Sequence, residues 1–191
     1  MIESFVKGFR EIVQNTKLAV ISVMALVLGF VAEVLYIFAG KYDFLSFDFF
    51  VIKLFEEVLL ALLMGLLLVP RRRENLLSLL VFSAFYGLTV SAGFSLFVLP
   101  GFVAFMFLFF VPLLSAKDES PSSVLEKNYR MVFKGEKTVD VFLAAAVVFI
   151  VWFIPYLGSI ISNLLRVVLV YSMYRIMEGS YEKTESDTGS A

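Results

Sequence analysis

From Leu76 to Ala116 the chain runs for 41 residues without a single charged side chain. A water-soluble fold has no use for such a stretch. One straight helix of that length would measure roughly 60 Å, twice the hydrocarbon thickness of a bilayer. The run must therefore fold back on itself within the membrane. Leu99-Pro100-Gly101 is the expected turn, because proline lacks a donor and disfavours helix before it, while glycine opens the backbone. The rest of the chain has the same character. It is 60% hydrophobic and 17% charged, with a mean hydropathy of +0.91. An ordinary soluble domain is nearer 45–50% apolar.

Three further apolar stretches complete the architecture. Leu18 to Gly40 carries only Glu33, and Phe49 to Val69 carries Lys53, Glu56 and Glu57. Val141 to Met177 carries Arg166 and Arg175 and is interrupted at Pro155-Tyr156-Leu157-Gly158. The expected fold is all-α, a single polytopic domain over 1–177 with six transmembrane helices at about 18–39, 49–69, 76–98, 101–116, 139–155 and 159–177. The fourth is short, about 24 Å, and contains Pro112, so it is either a tilted short helix or a re-entrant one. Phe30 occupies the −3 position before a break after Ala32, and the apolar run continues to Ala39, so the first span reads as a retained helix and not a cleaved leader.

Positive charge orients the six spans. Thirteen of the sixteen Lys and Arg residues fall at the N-terminus, in the 70–75 and 117–138 loops, and at or beyond the inner end of the last span, where Arg175 and Lys183 lie. Lys41 alone falls on the other side, and Lys53 and Arg166 lie within spans. Both termini are therefore expected in the cytoplasm of a cell-membrane protein. Two segments on that side have helical periodicity. In residues 1–15, Ile2, Phe5, Val6, Phe9, Ile12 and Val13 oppose charged positions. In residues 120–135, Ser120 suits an N-cap, Pro121 the first helical position and Gly135 the exit. There Val124, Leu125, Tyr129, Met131, Val132 and Phe133 share an arc opposite Glu126, Lys127, Arg130 and Lys134. Both read as interfacial amphipathic helices. Lys127, Arg130 and Lys134 form a candidate surface for lipid headgroups, against the plainer reading of positive-inside charge with no specific ligand. The polar segment 178–191 is expected to be a disordered cytoplasmic tail.

The chain has no Cys and no His, which removes disulfides, thiol chemistry, histidine bases and most zinc sites. No nucleotide loop or catalytic triad is present, and the net charge of −1 offers nothing to nucleic acid. No cofactor or metal is implied, and membrane lipids, a membrane-protein partner or a second copy are the partners to expect. Ser83, Gly87, Ser91 and Ser95 make a small-residue stripe, read as helix packing or as a hydroxyl-lined groove. Trp152, Tyr156, Tyr171 and Tyr174 read as interface anchors.

The intramembrane charges say most. Glu33, Lys53, Glu56, Glu57 and Arg166 all fall about 6–12 Å below the outer boundary, with Asn163 one turn from Arg166. Charges at such depth are costly unless paired. They form either a structural polar knot, with Glu33 on Arg166 and Lys53 on Glu57, or an ion, proton or headgroup site open to the outside.

The run Phe97-Val98-Leu99-Pro100-Gly101-Phe102, followed by Phe110-Val111-Pro112-Leu113-Leu114, Asp118-Glu119 and a Ser-initiated helix ending in Lys134-Gly135, resembles the membrane domain attached to some glycerophosphoryl diester phosphodiesterases and its stand-alone six-span relatives. Matching order covers roughly residues 76–177, with weaker agreement before it. The resemblance implies a six-helix membrane module. It implies no phosphodiesterase activity, because the chain has no room for that soluble domain and no His.

Overall fold

The computed structural model describes residues 6, 10, 12–40, 43–69, 76–117, 120–134 and 137–188, the stretch 179–188 as backbone only. No strand occurs among them; the fold is all-helical. Helix α1, Thr16–Ala39, starts at Asn15, whose side chain accepts from the N–H groups of Lys17 and Leu18 at 3.0 and 3.3 Å. It ends at Gly40, where φ is +84°. Helix α2, Phe47–Leu68, is capped by Ser46, whose hydroxyl accepts from Phe49 N–H at 3.1 Å. These side-chain oxygens satisfy amides that a helix start leaves without a carbonyl.

The uncharged run does fold back. Helix α3 is Leu76–Leu96 and helix α4 is Val98–Phe107. The break falls at Phe97, which is extended (φ −165°, ψ 156°), and not at Leu99-Pro100-Gly101 as the sequence suggests. Pro100 sits in the first turn of α4, where a missing N–H costs nothing. Glycine serves a different purpose from the one expected. A Cβ on Gly93 would stand 2.9 Å from Gly101 Cα. On one continuous helix those residues would be about 12 Å apart. The two glycines let the hairpin close.

A turn at 108–110 separates α4 from α5, Val111–Lys117, and Pro112 again lies in a first turn. Helix α6, Pro121–Tyr129, begins at Ser120, whose hydroxyl accepts from Ser123 N–H at 3.2 Å, and it passes into a π-helical turn at Arg130–Lys134. Helix α7 is Thr138–Trp152, and α8 is Gly158–Thr188. The last helix overruns its expected end at 177, and residues 178–188, expected to be disordered, continue it as helix.

Four helical runs are long and apolar enough to cross a membrane: Thr16–Ala39, Leu76–Leu96, Val98–Lys117 and Gly158–Glu178. The fourth expected span is thus long enough once α5 is added across the turn. The two other expected spans are helical but differ from these four. Helix α2 carries Asp48, Lys53, Glu56 and Glu57, and α7 has 15 residues. The N-terminal amphipathic segment 1–15 lies largely outside the described residues.

Neighbouring helices close a ring. α1 packs on α2, α2 on α3, α3 on α4, α4 on α7, α7 on α8, and α8 back on α1. Close approach is built in where backbones meet. A Cβ on Gly29 would lie 2.6 Å from Ser159 O, and one on Gly87 would lie 2.3 Å from Val58 Cγ2. Helix α5 is tucked against α2 and α3, with Val111 through Ala116 all buried. Gly65, roughly 12 Å along α2 from Glu57, receives the Pro112 carbonyl. One half of the interior is therefore an apolar plug, and the polar residues occupy the other half.

Candidate functional site

The charges carried by three helices meet inside this ring. Glu33 of α1, Lys53, Glu56 and Glu57 of α2, and Asn163 and Arg166 of α8 are each 5% exposed or less. On α2 the spacing explains the grouping: Lys53 is one helical turn from both Glu56 and Glu57, so one ammonium reaches both. Lys53 Nζ lies 3.0 Å from Glu56 Oε2 and 2.8 Å from Glu57 Oε1. Arg166 forks onto Glu57, with Nη1 on Oε2 and Nη2 donating to Oε1 at 3.0 Å. Two parallel bonds to a carboxylate are the geometry guanidinium is shaped for.

Glu56 collects neutral donors as well. Tyr36 OH donates to its Oε2 at 3.0 Å, and Asn163 Nδ2 donates to its Oε1 at 3.0 Å. Glu33 Oε2 accepts from the Ser159 backbone N–H at 3.0 Å, in the first turn of α8, where the helix presents positive partial charge. The expected pairing of Lys53 with Glu57 is present. The expected pairing of Glu33 with Arg166 is corrected: both terminal nitrogens of Arg166 go to Glu57, and Glu33 is held by the start of α8. Depth in the membrane is legible in a sequence; which way round each helix faces is not.

The three remaining helices supply rings. Lys53 Nζ sits 4.9 Å from the Trp152 ring centroid and 5.2 Å from that of Phe94. Arg166 Cζ sits 4.7 Å from that of Phe105. Tyr36 meets Trp152 edge-on at 5.9 Å, and the buried Tyr86 faces the Glu57–Arg166 pair. Every helix of the ring thus contributes to one polar centre walled by aromatic faces, where cation–π attraction adds to ion pairing. Trp152 is therefore no interface anchor. Tyr171 and Tyr174 are buried too, and of the four expected anchors only Tyr156 is exposed.

Among the described residues this centre gathers three carboxylates and two cations. Among the described residues no group of three His, Cys, Asp or Glu side chains is placed to hold a metal ion.

The other candidate residues lie elsewhere. Ser83 and Ser91 are buried and Ser95 is half-buried; Gly87 meets Val58, so this stripe is the face that α3 turns to α2. The hydroxyls of Ser83, Ser91 and Ser95 have no hydrogen-bond partner among the described residues. Lys127, Arg130 and Lys134 are exposed on α6 and its π turn, while Val124, Met131 and Val132 are buried. Arg130 pairs with Glu126, and Lys134 Nζ lies 5.8 Å from the Tyr129 ring. Leu125 and Tyr129, placed on the apolar arc by periodicity, are exposed.

Sequence reasoning passed over Tyr36, Phe94, Phe105, Ser159 and Asn128. Asn128 is buried and bridges the α4–α5 break: its Oδ1 accepts from Phe110 N–H at 3.0 Å, and its Nδ2 donates to Phe107 O. Its signal was available, since it stands one turn after Val124 in the middle of an apolar arc. Tyr36 stands one turn after Glu33. Phe94 and Phe105 are two phenylalanines among 22, and nothing in the sequence marks them.

Comparison with known protein families, with curated proteins and with solved structures finds no match for this chain.

Proposed function

We propose that the chain is a six-span, non-enzymatic module of the cell membrane, with both termini in the cytoplasm, that acts through membrane lipids or membrane-protein partners. The observation that carries this reading is the closed polar centre. Each of its three carboxylates already has donors from within the bundle, and none is more than 2% exposed. Removing charges from water is expensive, and ion pairs and hydrogen bonds that engage every carboxylate offset that cost while fixing which helices sit together. Helices α2 and α7 complete the ring with the four longer runs, which supports counting them as spans. The charge bias of the sequence supports the orientation. The exposed Lys127, Arg130 and Lys134 offer anionic headgroups a basic face on the cytoplasmic side. The resemblance to phosphodiesterase-linked membrane domains agrees with a module that contributes membrane contact and no chemistry of its own.

The gathering of three buried carboxylates at one centre favours a second reading, a small transporter or channel subunit using Glu33, Glu56 and Glu57. Ion flux into proteoliposomes separates the two. The structural reading expects no flux above that of empty vesicles. Flux that Glu57→Gln abolishes while the protein still folds establishes the transporter instead.

A further inference from the structure

A row of aromatic rings joins the end of α4 to the π turn. Phe107, the last residue of α4, meets Phe133 with ring centroids 4.7 Å apart, and Phe133 meets Tyr129 at 5.3 Å. Lys134 Nζ closes the row, 5.8 Å from the Tyr129 ring centroid. Phe107 and Tyr129 are 46% and 49% exposed, Phe133 is half-buried and Lys134 is exposed. The row is thus an outward strip, apolar at one end and cationic at the other. Two features hold it in place. Lys134 follows Tyr129 by five residues, a spacing that on an α-helix sets two side chains roughly 140° apart. The π turn at Arg130–Lys134, whose hydrogen bonds reach to the fifth residue, brings the ammonium round over the ring. Asn128 fixes the other end, because its amide accepts from Phe110 N–H and donates to Phe107 O across the α4–α5 break. π turns are rare and recur at functional sites.

Depth and charge choose the occupant. The Pro112 carbonyl lies against Gly65, three residues before the end of α2, so the α4–α5 break sits about 5 Å inside that end. This is the level of the boundary between headgroups and acyl chains. Ring faces at that level suit the upper part of an acyl chain, and an ammonium beside them suits a phosphate. Of the three basic residues on this face, Arg130 is paired with Glu126, and Lys127 stands two residues from Tyr129, on the far side of the helix. Lys134 is the cation aligned with the rings. We propose that Phe107, Phe133, Tyr129 and Lys134 form a seat for one anionic phospholipid of the inner leaflet, with its phosphate on Lys134 and an acyl chain along the rings. The seat rests on the reading that the module acts through membrane lipids, and it narrows that reading from a diffuse basic face to one site.

The test uses the intact protein in neutral detergent. Native mass spectrometry counts retained lipid, and thermal unfolding follows added phosphatidylglycerol, phosphatidylcholine or glycerol phosphate. The expected result is one phosphatidylglycerol retained per chain and a saturable rise in Tm, with a far smaller rise for phosphatidylcholine and none for glycerol phosphate. Lys134→Gln should raise the phosphatidylglycerol midpoint about tenfold, the worth of one charge-assisted hydrogen bond. Tyr129→Leu should raise it as well, because the leucine keeps apolar character and loses the ring. Lys127→Gln should leave it within about twofold, since a screened charge off the strip adds little. All three side chains are exposed, so without lipid each variant should melt like the wild type. Equal losses in Lys134→Gln and Lys127→Gln overturn the seat and return the face to diffuse electrostatics. No retained lipid, an equal response to phosphatidylcholine, an equal response to glycerol phosphate, or an unchanged midpoint in Tyr129→Leu overturns it too. None of these outcomes touches the reading as a non-conducting membrane module, which fails separately, on ion flux.

Discussion

Both oxygens of Glu57 are engaged by cations, Oε1 by Lys53 and Arg166 and Oε2 by Arg166 again. Arg166 is in turn the cation that ties α8 to α2, two helices that otherwise touch little. Truncating one partner of a buried pair leaves the other charge stranded, at a typical cost of roughly 3–5 kcal/mol. Arg166→Ala should therefore melt far below the wild type in detergent. Arg166→Lys should recover only part of the loss, since an ammonium cannot fork onto a carboxylate. Combining Arg166→Ala with Glu57→Ala should cost clearly less than the sum of the two single changes, and the coupling should exceed that between Arg166→Ala and Glu33→Ala. A larger coupling to Glu33 would mean that the observed pairing is wrong. The residues of this centre were legible as a group, because a charge in an apolar run announces itself and counting from the span ends gives its depth. The partners were not, because pairing depends on helix rotation, and rotation depends on packing that no local pattern encodes.

Helix breaks and helix contacts follow different rules here. Asn128 holds the α4–α5 break by supplying the acceptor and the donor that the interrupted helix lacks. Asn128→Ala strands Phe110 N–H and Phe107 C=O, and each unsatisfied buried group costs about 1–3 kcal/mol. Hydrogen exchange should then show faster exchange at Phe110 and neighbouring amides while α1 stays protected; unchanged protection there would remove Asn128 from this role. Gly87 gives a test in which two effects oppose. In an exposed helix, Gly→Ala stabilises by about 1 kcal/mol. At position 87 the added Cβ would meet Val58 Cγ2 at 2.3 Å and its backbone N at 3.0 Å. Crowding of that kind typically costs about 1–3 kcal/mol. Gly87→Ala should thus lower Tm, and a rise would show that α3 and α2 are less close than described. Both prolines of the uncharged run illustrate the limit of local reading. They mark that a break is near, yet the chain breaks three residues before Pro100 and two before Pro112, since first-turn positions accept proline without penalty.

At the scale of the whole molecule, the ring of helices, its aromatic-walled polar centre and the apolar plug beside it form one arrangement. It places the costly charges where all six helices meet and leaves apolar side chains such as Val27, Phe30, Phe55 and Leu88 facing outward. An outward apolar coat is expected of a body solvated by lipid. The all-helical fold was legible because hydropathy reports it directly. The closing of the ring was not, because α4–α7 and α8–α1 are contacts between segments far apart in sequence. The central claim, six crossings with both ends in the cytoplasm, is tested most directly by cysteine labelling, for which the absence of native cysteine makes every introduced thiol unambiguous. Single cysteines at Leu45, Phe97 and Leu157 should react with a membrane-impermeant maleimide applied to intact cells. Single cysteines at Lys127 and Lys137 should react only after the membrane is opened. Labelling of Phe97→Cys from the same side as Lys127→Cys would contradict the account, because it would place the α3–α4 turn on the cytoplasmic face and remove two of the six crossings.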